Sequence, residues 1–140
     1  MPIHFEKFEN SLKHLELQFE NYLALQKRDE LTKIDREAIR ESVIQRFEIC
    51  FDSMWKLTKR YLSQISGFPD LPASPKPLLR IACDNGLFRD VEKLLKYADA
   101  RVATSHDYSD IKVSEAINLV DDFIQDAIGF YETISGKKWK

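Results

Sequence analysis

A chain of 140 residues with 44% apolar and 31% charged side chains has the length and composition of one globular domain spanning residues 1–140, and it contains no apolar run near the roughly 20 residues that cross a bilayer. Its 21 basic and 23 acidic residues are mixed along the sequence and leave a net charge of -2, which excludes a polyelectrolyte arm for indiscriminate nucleic-acid binding and makes any RNA contact a local one. The start, Met1-Pro2-Ile3-His4-Phe5, lacks the cationic region, apolar stretch and cleavage site of a secretory signal, so a cytoplasmic location is expected. There Cys50 and Cys83, with no CxxC and no neighbouring histidine, read as buried free thiols and signal no zinc site.

In chain order, Phe5, Phe8, Leu12, Leu15, Phe19 and Tyr22 recur at three-four spacing and predict a first helix ending near Lys27 to Asp29. Thr32, with Asp35 three residues on, resembles a capping box and opens a second helix reaching about Ser66. Its apolar residues make two stripes, Ile39-Val43-Phe47-Cys50-Met54-Leu57-Tyr61 and Ile44-Phe51-Trp55-Leu62, so it is expected to pack on more than one neighbour, with its aromatics in core or interface and not a base-stacking platform. Gly67 and Pro69 stop it. A stiff connection holding Pro69, Pro72, Pro75 and Pro77 leads into a short third helix, capped by Ser74, carrying Leu78, Leu79, Ile81, Ala82 and Cys83, and ending at Asn85-Gly86. Its brevity suggests a lid or corner.

A fourth helix from about Asp90 turns Val91, Leu94, Ala98 and Val102 inward. A fifth, capped by Ser109 or Asp110, carries Val113, Ile117, Val120, Ile124, Ile128 and Tyr131 up to Gly136. Asp121, Asp122 and Asp126 read as its solvated acidic face. The tail Lys137-Lys138-Trp139-Lys140 reads as favourable charge beyond a helix carboxyl end. No stretch alternates with period two for long enough to make a strand. The expected fold is all-α, an up-and-down four-helix bundle with an additional short helix.

Chemistry concentrates in Arg101-Val102-Ala103-Thr104-Ser105-His106-Asp107-Tyr108, where a guanidinium suited to phosphate, an imidazole and a phenol lie within eight residues. On an unbroken helix, positions 101 and 106 diverge by about 140°. Either the helix breaks between them or each meets a partner from another chain, and the run from Thr104 to Ser109, poor in helix formers, favours a break with His106 near a helix end. Two readings stand at this point. In the structural one Arg101 pairs with Asp99 or another nearby acid, His106 caps a helix and Tyr108 packs at the end of the bundle; in the chemical one the cluster binds phosphate. Phosphate-loop, HExxH and GxSxG motifs are absent.

Three segments together, Ser42-Val43-Ile44-Gln45-Arg46-Phe47-Glu48 with Phe51, Trp55 and Lys56, Pro77-Leu78-Leu79-Arg80-Ile81-Ala82 with Gly86-Leu87, and Arg101-x4-His106-x-Tyr108, resemble the nucleotidyltransferase substrate-binding proteins, HepT-like members of the HEPN superfamily of helical bundles. The resemblance implies a homodimer that places two copies of the third segment at a shared cleft, and a minimal nucleotidyltransferase encoded nearby as partner. It implies a nucleotide, or RNA, as ligand, with Arg101, Ser105, His106 and Tyr108 as the binding residues and no cofactor or metal. In some relatives the bundle is a metal-independent ribonuclease toxin, whose catalytic residues match Arg101 and His106. The transferase is then an antitoxin that modifies the tyrosine matching Tyr108 with AMP. Many ribonuclease members carry asparagine directly after the arginine. Val102 stands there instead, and a branched apolar side chain at that position suggests packing.

Overall fold

The computed structural model describes residues 3–106 and 109–140, and at His106 the backbone. Among them the chain forms α1 (Glu6–Leu23), a 3-10 turn (Leu25–Lys27), α2 (Lys33–Gln64), α3 (Pro75–Asp84), α4 (Val91–His106) and α5 (Asp110–Ser135), with no strand. The four long helices build the up-and-down bundle. α2, at 32 residues the longest, contacts each of the other four helices, which is why it needs apolar residues on two stripes.

Local sequence sets most helix ends. The Thr32 hydroxyl accepts from the Asp35 backbone N–H at 3.1 Å, and the Asp35 carboxylate accepts from the Thr32 N–H at 3.0 Å, a reciprocal capping box that satisfies two otherwise orphaned donors. α1 ends earlier than its apolar period suggests, at Leu23, because Arg36 of α2 reaches back to the Leu25 and Arg28 carbonyls at 2.8 and 2.6 Å and holds the chain in the tighter turn. Gly67 has φ +78°, and the Phe68 N–H returns to the Leu62 carbonyl at 3.1 Å, closing α2 as glycine at this position allows. Ser74 precedes Pro75 as anticipated, but its side chain makes no capping hydrogen bond; the proline's fixed φ is the remaining start signal. α3 is not a lid. Its Leu78, Leu79 and Ala82 are fully buried and join the main core against α2 and α4.

The core centres on aromatic rings. Phe123 of α5 meets Phe47 of α2 edge to face at 5.0 Å and Tyr97 of α4 edge to face at 5.3 Å, while Phe88 stacks on Phe130 at 4.7 Å. Phe123, Phe130 and Tyr97 lie beside the predicted stripes, and their burial shows those stripes to be wider than one residue per turn. The tail beyond α5 also makes defined contacts. Trp139 folds back, its indole N–H donating to Glu16 at 2.7 Å and its backbone N–H to Glu132 at 3.0 Å, with its ring against Tyr131 at 5.3 Å.

Both cysteines are free thiols, Cys50 buried and Cys83 half-buried. Burial pushes the Cys50 thiol up to about 12 and the Cys83 thiol up to about 11. Both are therefore protonated at neutral pH and poor nucleophiles. Alkylation at pH 8 should be slow in the native chain, slowest at Cys50, and become fast at both on unfolding, as followed by mass spectrometry. Thr32→Ala, which removes the capping hydroxyl, should cost about 1 kcal/mol in urea denaturation with an unchanged m value.

Candidate functional site

α4 runs without interruption from Val91 to His106, so the break expected between Arg101 and His106 is absent. The polar residues that argued for it are accommodated by one bond within α4 and one to α2. The Ser105 hydroxyl donates to the Val102 carbonyl at 2.7 Å and the Thr104 hydroxyl to Glu48 at 2.8 Å, so neither competes with the helix for its backbone donors. His106 is the last residue of α4, as expected of a position near a helix end. Its side chain, and Tyr108 altogether, lie outside the described residues. With the helix intact, positions 101 and 106 diverge by about 140°.

Arg101 faces α2. Its Nε and Nη2 donate to the two oxygens of Asp52 at 3.1 and 3.0 Å, and its Nη1 to Glu48 at 3.3 Å. The partners are thus acids 49 and 53 positions away and not Asp99, whose carboxylate pairs with Lys76. Two carboxylates one helical turn apart on α2 converge on one guanidinium because residues at i and i+4 share a face. The Arg101 side chain is partly buried, as are Asp52 and, more deeply, Glu48.

Beside this cluster a groove of about 610 Å³ opens between α2, the start of α3 and α4. Trp55, Pro75, Pro77 and Val102 give it apolar walls; Asp52, Arg101, Lys76 and Ser105 bring charge and hydroxyl to its rim. Val102 does not turn inward. It is 56% exposed, because a residue directly after Arg101 on a helix points about 100° away from it and so misses the core. Trp55 is half-buried; it packs against the core and also lines the groove. Sequence reasoning missed Glu48 and Asp52 as members of the site; their four-residue spacing on a helix that also faces α4 was the available signal.

The acidic face of α5 is divided. Asp121 is exposed, Asp122 pairs with Lys93 at 3.7 Å, and Asp126 accepts from the wholly buried Tyr97 hydroxyl at 2.5 Å. Burial and the Asp126 carboxylate push the Tyr97 phenol well above its ordinary value, so it keeps the proton that it donates to Asp126. Among the described residues, no group of three or more His, Cys, Asp or Glu side chains could hold a metal ion, and no helix is long and apolar enough to cross a membrane.

Comparison with known proteins places relatives beside this geometry. The family described as "Nucleotidyltransferase substrate binding protein like" matches residues 3–135. A curated relative from Haemophilus influenzae, named "Probable ribonuclease HepT", is 33% identical over 93 residues, 65% of this chain. The chain spans 64% of that relative's own length. A solved structure from Haemophilus influenzae, described as revealing the fold of a substrate binding domain of a nucleotidyltransferase, superposes with a TM-score of 0.85 at 25% identity, covering 94% of this chain and 99% of that one. A second, from Thermus thermophilus, gives 0.65 at 25% identity, covering 86% and 98%.

Thr104 is fully buried and its hydroxyl reaches an ionised partner. Thr104→Val keeps the shape and removes that donor, so it should cost about 1–2 kcal/mol in urea denaturation; an unchanged midpoint would show that the Glu48 contact contributes nothing to the fold.

Proposed function

The chain belongs to the nucleotidyltransferase substrate binding protein family, and from that premise we propose that it is the substrate-binding subunit of a two-protein module. In this reading the domain of residues 1–140 forms a homodimer, assembles with a minimal nucleotidyltransferase encoded nearby, and holds a nucleotide through Arg101, Ser105, His106 and Tyr108. The observation that carries it is the fork of Arg101, which already holds a two-oxygen anion. Asp52 sits on Nε and Nη2 at 3.1 and 3.0 Å, the bidentate arrangement in which a guanidinium accepts two phosphate oxygens. The groove beside it offers Trp55 and Val102 as apolar walls for a base.

Helix geometry supports the second copy. One α4 directs positions 101 and 106 apart, so a single chain does not present both to one ligand, whereas two chains related by a two-fold axis bring Arg101 of one toward His106 of the other. The exposure of Val102, an apolar residue beside the site, fits burial at such an interface.

A second reading, a metal-independent ribonuclease toxin, draws support from the relative named "Probable ribonuclease HepT". Here His106 takes the proton of a ribose 2'-hydroxyl, the oxygen attacks phosphorus, and the 5'-oxygen leaves with a proton from His106 of the other copy, while Arg101 stabilises the charge. The transferase would then silence the toxin by adding AMP to Tyr108. Val102 weighs against it, since it sets hydrocarbon beside Arg101 where ribonuclease members carry an amide.

The chain should co-purify with the neighbouring transferase, and the pair should bind AMP or ATP in calorimetry, with affinity falling at least tenfold in Arg101→Ala. Absence of both the complex and the heat would remove the first reading. Growth arrest on expressing the chain alone, relieved by His106→Ala, would put the second in its place.

A further inference from the structure

The two carboxylates on Arg101 are not equivalent. Glu48 is the deeper, its side chain 14% exposed, and it accepts from both Arg101 Nη1 at 3.3 Å and the fully buried Thr104 hydroxyl at 2.8 Å. Moving it would leave that buried hydroxyl with only its longer contact to the Arg101 carbonyl at 3.3 Å. Asp52 is 36% exposed, lines the groove, and directs both oxygens at the Nε/Nη2 edge of the guanidinium. A turn of its side chain would return it to solvent and vacate the Nε/Nη2 edge of Arg101 on α4, a side chain that is itself 28% exposed.

Charge makes the difference consequential. Asp52 lines the groove and holds the Nε/Nη2 edge of the guanidinium, so an anion approaching that edge meets a like charge until Asp52 withdraws, while Lys76 at the same rim attracts it. Asp52 also occupies the edge of Arg101 that a phosphate would grip with two oxygens. On these contacts we infer that Asp52 is a displaceable stand-in for a phosphate monoester: ligand binding at Arg101 exchanges the Asp52 carboxylate for phosphate oxygens, while Glu48, held by Thr104, keeps the guanidinium in place. This rests on the reading of Arg101 as a nucleotide-binding residue and adds to it which residue sets the affinity. Asp52 suppresses binding in the resting chain, and Glu48 is the positioning residue.

The test is calorimetric titration of the full chain at low salt with AMP and, separately, with inorganic phosphate. Asp52→Asn keeps the shape and removes the charge, and should bind AMP about tenfold more tightly than the unaltered chain, with inorganic phosphate following the same order. The gain should vanish in the Asp52→Asn/Arg101→Ala double variant. Glu48→Gln should lower the melting temperature and give no comparable gain. Circular dichroism establishes that each variant is folded, and Asp52→Ser gives the same readout if the asparagine variant is not. If the unaltered chain binds AMP through Arg101 but neither Asp52 variant binds more tightly, the displacement is wrong and the nucleotide reading stands. A gain that persists without Arg101 reflects general loss of negative charge and also overturns it. Absence of binding in the unaltered chain and in both Asp52 variants overturns the inference together with the reading beneath it.

Discussion

The position of every charged group in the site depends on one aromatic contact set, the packing of Phe123 against Phe47, Phe51 and Tyr97. These rings come from α5, α2 and α4, and large aromatics dominate core energetics and prefer edge-to-face approach. Satisfying the three contacts together fixes how α4 is rotated about its own axis. With Tyr97 directed inward, Arg101 lies four residues on and on nearly the same side. Glu48 and Asp52 each follow a core phenylalanine on α2 by one residue. The guanidinium and its two acids therefore meet at the rim of the aromatic core, partly shielded from water, where opposite charges attract more strongly than on an open surface.

A second set of contacts holds the far side of the same region. Arg40 of α2 donates to the Asp110 carboxylate and carbonyl and to the Ser114 hydroxyl, fastening the first turn of α5 to α2, while Ser109 caps that turn by accepting from the Lys112 N–H. The last turns of α4 and the first turn of α5 are each tied to α2, through Arg101 in one case and Arg40 in the other. Among the described residues no buried side-chain nitrogen or oxygen lacks a hydrogen-bond partner. The polar groups near the core are spent on fixing helices relative to one another, and the cluster of Arg101, Glu48 and Asp52 is assembled on that frame.

The groove beside Arg101 joins two kinds of surface. Its apolar walls come from residues that the helical period counts as candidates for burial, Trp55 and Val102, yet α2 and α4 leave them open to the groove. Trp55 also packs against the core, whereas Val102 sets exposed hydrocarbon next to a paired guanidinium. That juxtaposition is what a recognition surface requires.

The chain's local signals were legible without coordinates. Three-four periodicity gave α1, α2 and α5; the Thr32 and Asp35 pair and Gly67 before Pro69 marked the two ends of α2, and Gly136 the end of α5. These are interactions between residues a few positions apart, so their outcome is written in short windows of sequence. The end of α1, by contrast, was set by Arg36 from α2. The same periodicity, with no stretch of period two, gave the all-helical bundle, and resemblance of three segments supplied the family. What tertiary structure alone decided were contacts between residues distant in sequence: Arg101 with Asp52 and Glu48 instead of Asp99, Tyr97 with Asp126, and Trp139 with Glu16. It also decided that Thr104 and Ser105 sit inside α4. Intrinsic propensity counts against these two residues by a few tenths of a kcal/mol each, and a hydrogen bond from Thr104 to an ionised Glu48 56 positions earlier outweighs it. Helix period can say which residues share a face, but which acid meets which base depends on how three helices rotate to bury their rings.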